Sequence, residues 1–241
     1  MSEHIVKAFT EQLEGLANAV AQMGGLAESQ FANAIEAIAR RDTALAESVI
    51  AADERLDRLQ QAVEDQALKV LALRQPMATD LRATMASIRT AYELERIGDL
   101  AKNIGKRALV LNREPPIRLT QSLARMGKQA LAQLKQVLDA YSARDAAGAE
   151  SVWLHDEEID GLYNSLFREL LTYMMEDPRT IGLCTHLLFV AKNIERVGDH
   201  ATNIAETVYH MVTGHNLYAA RPKADTTATT AVGFGSKSDL H

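Results

Sequence analysis

Residues 95–104 read ERIGDLAKNI and residues 195–204 read ERVGDHATNI, so one motif recurs at a separation of 100 positions. A second pair of segments, DTALAESVIAADERLD at 42–57 and DAAGAESVWLHDEEID at 145–160, shares nine identities in sixteen positions. The joints Gln75-Pro76 and Asp177-Pro178 fall at equivalent places between these blocks. Matching blocks in the same order indicate an internal duplication, and the chain is predicted to contain one structural unit twice.

Prolines divide the chain into long uninterrupted segments. There are only five, and a proline inside a helix costs about 3 kcal/mol. Together with a capping break at Asp42-Thr43, they predict helices near 4–41, 43–74, 79–111, 120–142, 145–175 and 180–213. The predicted fold class is therefore all-α, with six long helices forming two tandem, pseudo-symmetric three-helix bundles.

The predicted bundles occupy residues 1–113 and 117–214. Residues 215–241 are rich in Thr, Ala, Gly and Ser and have no periodic apolar face, so we expect a mobile C-terminal tail and assign it no function.

The third helix of each unit carries an apolar seam with spacings of three and four residues, typical of a bundle helix. The seam residues are Leu94, Ile97, Ala101, Ile104, Ala108 and Leu111 in the first copy, and Ile194, Val197, Ala201, Ile204, Val208 and Met211 in the second.

Composition narrows the class of protein. The formal charge of −6 argues against a nucleic-acid binder. A single cysteine, Cys184, cannot form an intramolecular disulfide and favours a reducing compartment. No apolar run approaches the roughly 18 residues of a membrane span, so we expect a cytoplasmic protein without direct membrane insertion.

Paired carboxylates stand one helical turn apart at matching places in both halves. The pairs are Asp53/Asp57, Glu95/Asp99, Asp156/Asp160 and Glu195/Asp199. Like charges at this spacing repel by a few tenths of a kcal/mol, so a positive group should offset them. That group could be a metal ion bound by carboxylate oxygens. It could equally be arginine, since Arg96 and Arg196 lie inside the motifs.

Gly98 and Gly198 lie between the two carboxylates of the third-helix pairs. Glycine inside a helix costs about 1 kcal/mol relative to alanine. Close approach of a ligand cluster would explain the exception, and so would tight packing of a neighbouring helix.

Other chemistries have little support in the sequence. It contains no H-E-x-x-H, no phosphate-binding P-loop and no nucleophile elbow. His186, His200 and His210 have no counterparts in the first half, and we interpret them as surface or capping residues. No catalytic constellation is recognisable, and the protein is predicted not to be an enzyme.

Several long motifs resemble the PhoU family of bacterial phosphate-signalling proteins. They are LERIGD at 94–99, RQP at 74–76, LLTYMMEDPRT at 170–180 and IERVGDHATNI at 194–204, and the likeness extends from about residue 4 to 215. The resemblance implies paired three-helix bundles in a cytoplasmic, usually homodimeric protein. It also implies multinuclear iron or zinc clusters on E(D)-x-x-x-D motifs, here Asp53, Asp57, Glu95, Asp99, Asp156, Asp160, Glu195 and Asp199.

The family resemblance further implies a function. PhoU proteins are negative regulators of the phosphate regulon that link the ATPase subunit of a phosphate ABC transporter to a membrane sensor histidine kinase. We therefore expect peripheral recruitment to the inner membrane through these partners. Two alternatives stay open at this point: a metal-dependent phosphohydrolase using metal-bound water, and a helical adaptor that binds no metal.

Overall fold

The structure, a computed structural model, describes residues 2–115, 120–217 and 225–227. Its helices are α1 (Ser2–Ala39), α2 (Thr43–Arg74), α3 (Thr79–Leu111), α4 (Thr120–Ala143), α5 (Ala146–Leu154), α6 (Asp156–Glu176) and α7 (Ile181–Thr213), with a 3₁₀ turn at Pro178–Thr180. Six of the helices are long, and the described ranges contain no strand. The all-α prediction is therefore confirmed.

Equivalent aspartates begin the second helix of each unit. The Asp42 side chain accepts a hydrogen bond from Leu45 N, and the Asp145 side chain accepts one from Ala147 N. The arginine before each aspartate, Arg41 or Arg144, has a left-handed φ of 57° or 53°. This conformation is unfavourable for a side chain other than glycine, but it reverses the chain within one residue. Both halves use the same turn, as the repeat predicted.

The helix predicted over 145–175 is interrupted. α5 ends at Leu154, and α6 begins at Asp156. Between them His155 donates its backbone N–H to Val152 O, three residues back, so the helical ladder does not continue. Three acidic residues, Asp156, Glu157 and Glu158, follow in the first turn of α6, where negative charge favours a new helix start. The first half has an unbroken α2 at this place.

Each unit is a three-helix bundle. The first contains α1, α2 and α3, and the second contains α4, the interrupted helix α5/α6 and α7. They lie inside the predicted ranges 1–113 and 117–214, whose boundaries stay predictions. All twelve predicted seam residues of α3 and α7 are buried. Most of the predicted tail, 215–241, lies outside the described residues.

The third helices, α3 and α7, pack antiparallel and join the two units. Arg82 Nε donates to Met211 O at 3.4 Å, while further along Arg107 Nη1 lies 3.2 Å from His186 Nδ1. Midway, Glu93 Oε2 lies 2.6 Å from His200 Nδ1 and accepts a 3.2 Å hydrogen bond from Asn203 Nδ2. The prediction of surface or capping roles was wrong for these two histidines, because each makes a polar contact with the other unit. His210 does lie in the last turn of α7.

Gly98 and Gly198 allow close approach of the preceding helix. A Cβ at position 98 would collide with Leu56 Cδ2, and one at 198 would lie 2.9 Å from Ile159 Cδ1. Equivalent glutamines pack beside them: Gln30 donates to Val49 O at 3.0 Å, and Gln133 donates to Val152 O at 3.4 Å. Tight helix packing therefore accounts for both glycines.

No helix in the described part of the chain is both long and apolar enough to cross a membrane.

Gly98→Ala should lower the free energy of unfolding by about 1–3 kcal/mol, because the added methyl overpacks the contact with Leu56. The matched control is Gly25→Ala, on the exposed side of α1, where a Cβ meets nothing within 4 Å. That change should raise stability by up to about 1 kcal/mol through helix propensity. Urea unfolding followed by circular dichroism measures both changes. Equal effects of the two substitutions would contradict the packing explanation.

Candidate functional site

The first acidic cluster consists of Asp53 and Asp57 on α2 with Glu95 and Asp99 on α3. Asp53 occupies a buried position of α2 between Val49 and Leu56, with 5% of its surface exposed. The two carboxylates of each pair are four residues apart, about one helical turn, so both lie on the same side of their helix. The helix contact at Gly98 brings the two pairs together.

Two basic side chains lie within the first acidic cluster. Lys102 Nζ donates to Asp53 Oδ2 and lies 3.7 Å from Asp99 Oδ1. Arg96 Nε lies 2.9 Å from Glu95 Oε2, and its Nη1 lies 3.4 Å from Asp99 Oδ2. Two cations thus face four carboxylates, and the cluster keeps an excess of negative charge.

Burial and the excess of negative charge both raise the pKa values of two of these carboxylates. Burial, then the neighbouring Asp53 and Asp99, raise the pKa of Asp57 above its usual value. Burial also raises the pKa of Glu95, with Asp99 and Asp57 adding to the shift and Arg96 opposing it. The basic residues therefore compensate only part of the repulsion.

The second acidic cluster consists of Asp156 and Asp160 on α6 with Glu195 and Asp199 on α7. Three of these residues are buried, with exposed fractions of 3% for Asp156, 4% for Asp160 and 4% for Glu195. Thr202 donates to Asp156 Oδ1 at 2.8 Å. This cluster is more deeply enclosed than the first, in which Asp57 and Glu95 are partly exposed.

Lys192 is the basic partner of the second acidic cluster. Its Nζ donates to Glu195 Oε1 at 2.8 Å, and the carboxylate of Asp225 holds it from the other side. Glu195 Oε2 is buried and has no hydrogen-bond partner. Burial raises the pKa of Glu195, with Asp199 and Asp160 adding to the shift and Lys192 opposing it.

The structure thus gathers all eight predicted carboxylates into two groups of four. Within the described ranges, no three His, Cys, Asp or Glu side chains converge as they would around a bound ion. The donor set nevertheless fits a cation: the oxygens are suitable ligands, they carry excess negative charge, and one buried oxygen of Glu195 is unpartnered. Lysine ammonium groups also lie among these carboxylates, Lys102 in the first cluster and Lys192 in the second.

Sequence reasoning missed the two lysines. Lys102 is three residues after Asp99 and Lys192 three before Glu195, a spacing that places each lysine beside its acid. This signal was available, but the repeat concealed it: threonine replaces Lys102 in the second copy, and tyrosine replaces Lys192 in the first. No signal in the sequence connected Asp225 with the site.

Comparison with known proteins identifies both halves. The PhoU domain family matches residues 20–108 and again 123–208. The phosphate-specific transport system accessory protein PhoU homolog of Caulobacter vibrioides is 58% identical over 226 residues, 93% of this chain and 98% of the relative. The Escherichia coli protein PhoU is 37% identical over 217 residues, 90% of each chain.

Solved structures agree with the fold. The crystal structure of PhoU from Pseudomonas aeruginosa superposes with a TM-score of 0.84 at 36% identity, covering 86% of this chain and all 100% of the other. The phosphate transport system regulatory protein PhoU from Streptococcus pneumoniae gives a TM-score of 0.80 at 30% identity, covering 87% and 99%.

Asp57→Asn should raise the melting temperature of the cation-free protein at pH 7. The pKa of Asp57 is higher in the folded protein than in the unfolded chain. Ionisation of Asp57 therefore lowers the free energy of unfolding as the pH rises through the folded-state pKa. The gain should therefore disappear below about pH 3.8, where Asp57 is protonated in both states. The paired variant, Asp53→Asn, should lower stability by about 1 kcal/mol, since it weakens the bond to Lys102.

Thermal unfolding in chelator across this pH range measures both variants. A lower melting temperature for Asp57→Asn at pH 7 would contradict the excess of repulsion in the first acidic cluster.

Proposed function

The chain belongs to the PhoU family, and from this membership we propose that it is a negative regulator of the phosphate regulon and of phosphate uptake. In this role it contacts the ATPase subunit of a phosphate ABC transporter and a phosphate-sensing histidine kinase. The observation that carries the proposal is the match to accessory proteins of phosphate-specific transport systems over nearly the whole chain. The absence of a membrane-crossing helix from the described residues is compatible with recruitment through these partners.

The protein acts by contact and not by catalysis in this proposal. Proteins that match most of this chain are named accessory or regulatory proteins. The cytoplasm is the compartment in which it would meet both an ATPase subunit and a kinase domain, and a homodimer is its expected assembly.

We further propose that the two acidic clusters bind iron or zinc as multinuclear clusters. Asp53, Asp57, Glu95 and Asp99 would hold the first, and Asp156, Asp160, Glu195 and Asp199 the second. A bound cation would supply positive charge that removes the carboxylate repulsion and cross-links the second and third helices of each unit. Support comes from the excess of carboxylates over basic groups and from the unpartnered Glu195 Oε2.

Replacing Glu95 and Asp99 together by alanine should lower the metal content of the loaded protein and leave its helicity nearly unchanged, because alanine favours helix. Elemental analysis after loading with iron or zinc measures the first effect, and circular dichroism measures the second. A control with the same change in charge is Glu54→Ala with Glu157→Ala, since both residues are exposed neighbours of the clusters. A wild-type protein that holds no stoichiometric metal would contradict metal binding and favour the metal-free adaptor.

Deleting the gene should raise phosphate-starvation gene expression in phosphate-rich medium, because the restraint on the kinase is removed. A reporter gene measures this, and the wild-type gene supplied in trans should restore repression. Crosslinking at low salt should recover the transporter ATPase and the kinase with the protein. Normal repression in the deletion strain, or recovery of neither partner, would contradict the regulatory role. Phosphatase turnover by the metal-loaded protein would instead support the phosphohydrolase alternative.

A further inference from the structure

Three residues of the C-terminal segment, Asp225–Thr227, lie against the second acidic cluster, and we term them the C-terminal clip. The backbone N–H of Asp225 donates to Asp160 Oδ2 at 3.2 Å. The next backbone N–H, that of Thr226, donates to Asn164 Oδ1 at 3.2 Å. Two successive amides of the clip thus bind side chains one turn apart on α6. The segment therefore makes specific contacts with the cluster, although the sequence assigned it no function.

Asp225 also ties the clip to α7 through Lys192. The ammonium group of Lys192 donates to Asp225 Oδ2 and to Glu195 Oε1, each at 2.8 Å. The other carboxylate oxygen of Asp225 accepts from Thr227 N at 2.9 Å and from Thr227 Oγ1 at 2.7 Å. Both oxygens of Asp225 are therefore engaged, and the clip has a defined local conformation.

The contacts of the clip use two of the carboxylate groups that would hold a cation. One oxygen of Asp160 accepts the Asp225 amide, and one oxygen of Glu195 accepts Lys192. A cation bound to these two carboxylates would compete with the Asp225 amide for Asp160 and repel the lysine ammonium. Because Lys192 anchors the Asp225 carboxylate, displacement of Lys192 would remove that anchor from the clip. Cation binding and clip docking therefore oppose each other.

The first acidic cluster provides an internal comparison. Its lysine, Lys102, belongs to α3 itself and contacts Asp53 and Asp99. Tyr92 stands at the repeat position of Lys192, so the first cluster lacks the group that holds Asp225 in the second. The competition is therefore specific to one of the two clusters.

We propose that the C-terminal clip is a built-in competitor of the second acidic cluster, docked in the cation-free protein and released when a cation binds. The inference rests on the cation binding proposed above. It makes the two clusters unequal: a cation at the first cluster competes only with the basic side chains Lys102 and Arg96, whereas a cation at the second must also expel the clip. Release of Asp225–Thr227 then becomes a change at the protein surface that reports the state of the second cluster.

Hydrogen exchange of the full chain tests the docking directly. In chelator, the amides of Asp225 and Thr226 should be protected, and Lys192→Met should remove much of that protection. Adding Zn²⁺ to the wild-type protein should also reduce it. Unprotected amides in chelator would overturn the proposal because the clip would not be docked. Stronger protection with Zn²⁺ would overturn it because Asp225 would then be a ligand and not a competitor.

Zinc affinity tests the competition. With Glu95→Ala and Asp99→Ala in place, so that only the second cluster binds, Asp225→Asn should tighten Zn²⁺ binding about two- to five-fold, the range expected for losing an ion pair. Asp239→Asn, which makes the same change in charge elsewhere in the C-terminal segment, should have no effect. With Glu195→Ala and Asp199→Ala in place instead, Asp225→Asn should leave zinc affinity unchanged.

The outcomes separate the two proposals. Zinc binding by the wild type with no effect of Asp225→Asn, or weaker binding by that variant, overturns the competition alone. If no variant and no wild-type protein binds zinc or iron, both the metal proposal and the competition are overturned.

Discussion

The contact of the second helix with a glycine of the third sets the geometry on which the rest of each unit depends. Leu56 packs on Gly98, and Ile159 packs on Gly198. Each glycine lies between the two carboxylates of its own helix. The contact therefore places the acidic pair of the third helix close to the acidic pair of the second helix. A larger residue would separate the helices and the charges together. Apolar packing here supplies the free energy that holds like charges close.

Carboxylates held in this way keep negative charge that nearby basic groups do not fully compensate. Burial first, and then the neighbouring carboxylates, raise the pKa values of Asp57, Glu95 and Glu195. A folded chain seldom keeps such an arrangement for stability alone, since it favours protonation or a cation. The acidic clusters are thus strained by charge within a framework that is otherwise well packed.

Local features could be predicted from the sequence, and contacts between distant residues could not. The cap at Asp42 and the breaks at Pro76 and Pro178 depend on neighbours in the chain, and they lie where expected. The seams of α3 and α7 follow from periodicity. The interruption at His155 was missed because its residues have no strong helix-breaking character.

For the two acidic clusters, the sequence predicted the carboxylates but not the basic residues that contact them. The eight carboxylates of the two acidic clusters stand out in the sequence because the duplication marks them, and their membership in two groups follows from helix spacing; their role as metal ligands stays a prediction. The basic residues that contact the carboxylates differ between the two copies. A comparison of the copies therefore does not reveal these basic residues. Lys102 and Lys192 stand at different repeat positions. The contact of Glu93 with His200 joins residues 107 positions apart, and only the antiparallel packing of α3 and α7 reveals it.

That antiparallel packing makes the chain resemble a symmetric dimer whose two subunits have been joined into one polypeptide. In a dimer of separate subunits, each site would have its own C-terminus. A C-terminal segment that contacted one site would then contact the other in the same way. A tandem chain has only one C-terminus. Covalent fusion of the two halves therefore allows a terminal segment to act on one site without acting on the equivalent site. The two sites of a duplicated protein can then differ in their regulation.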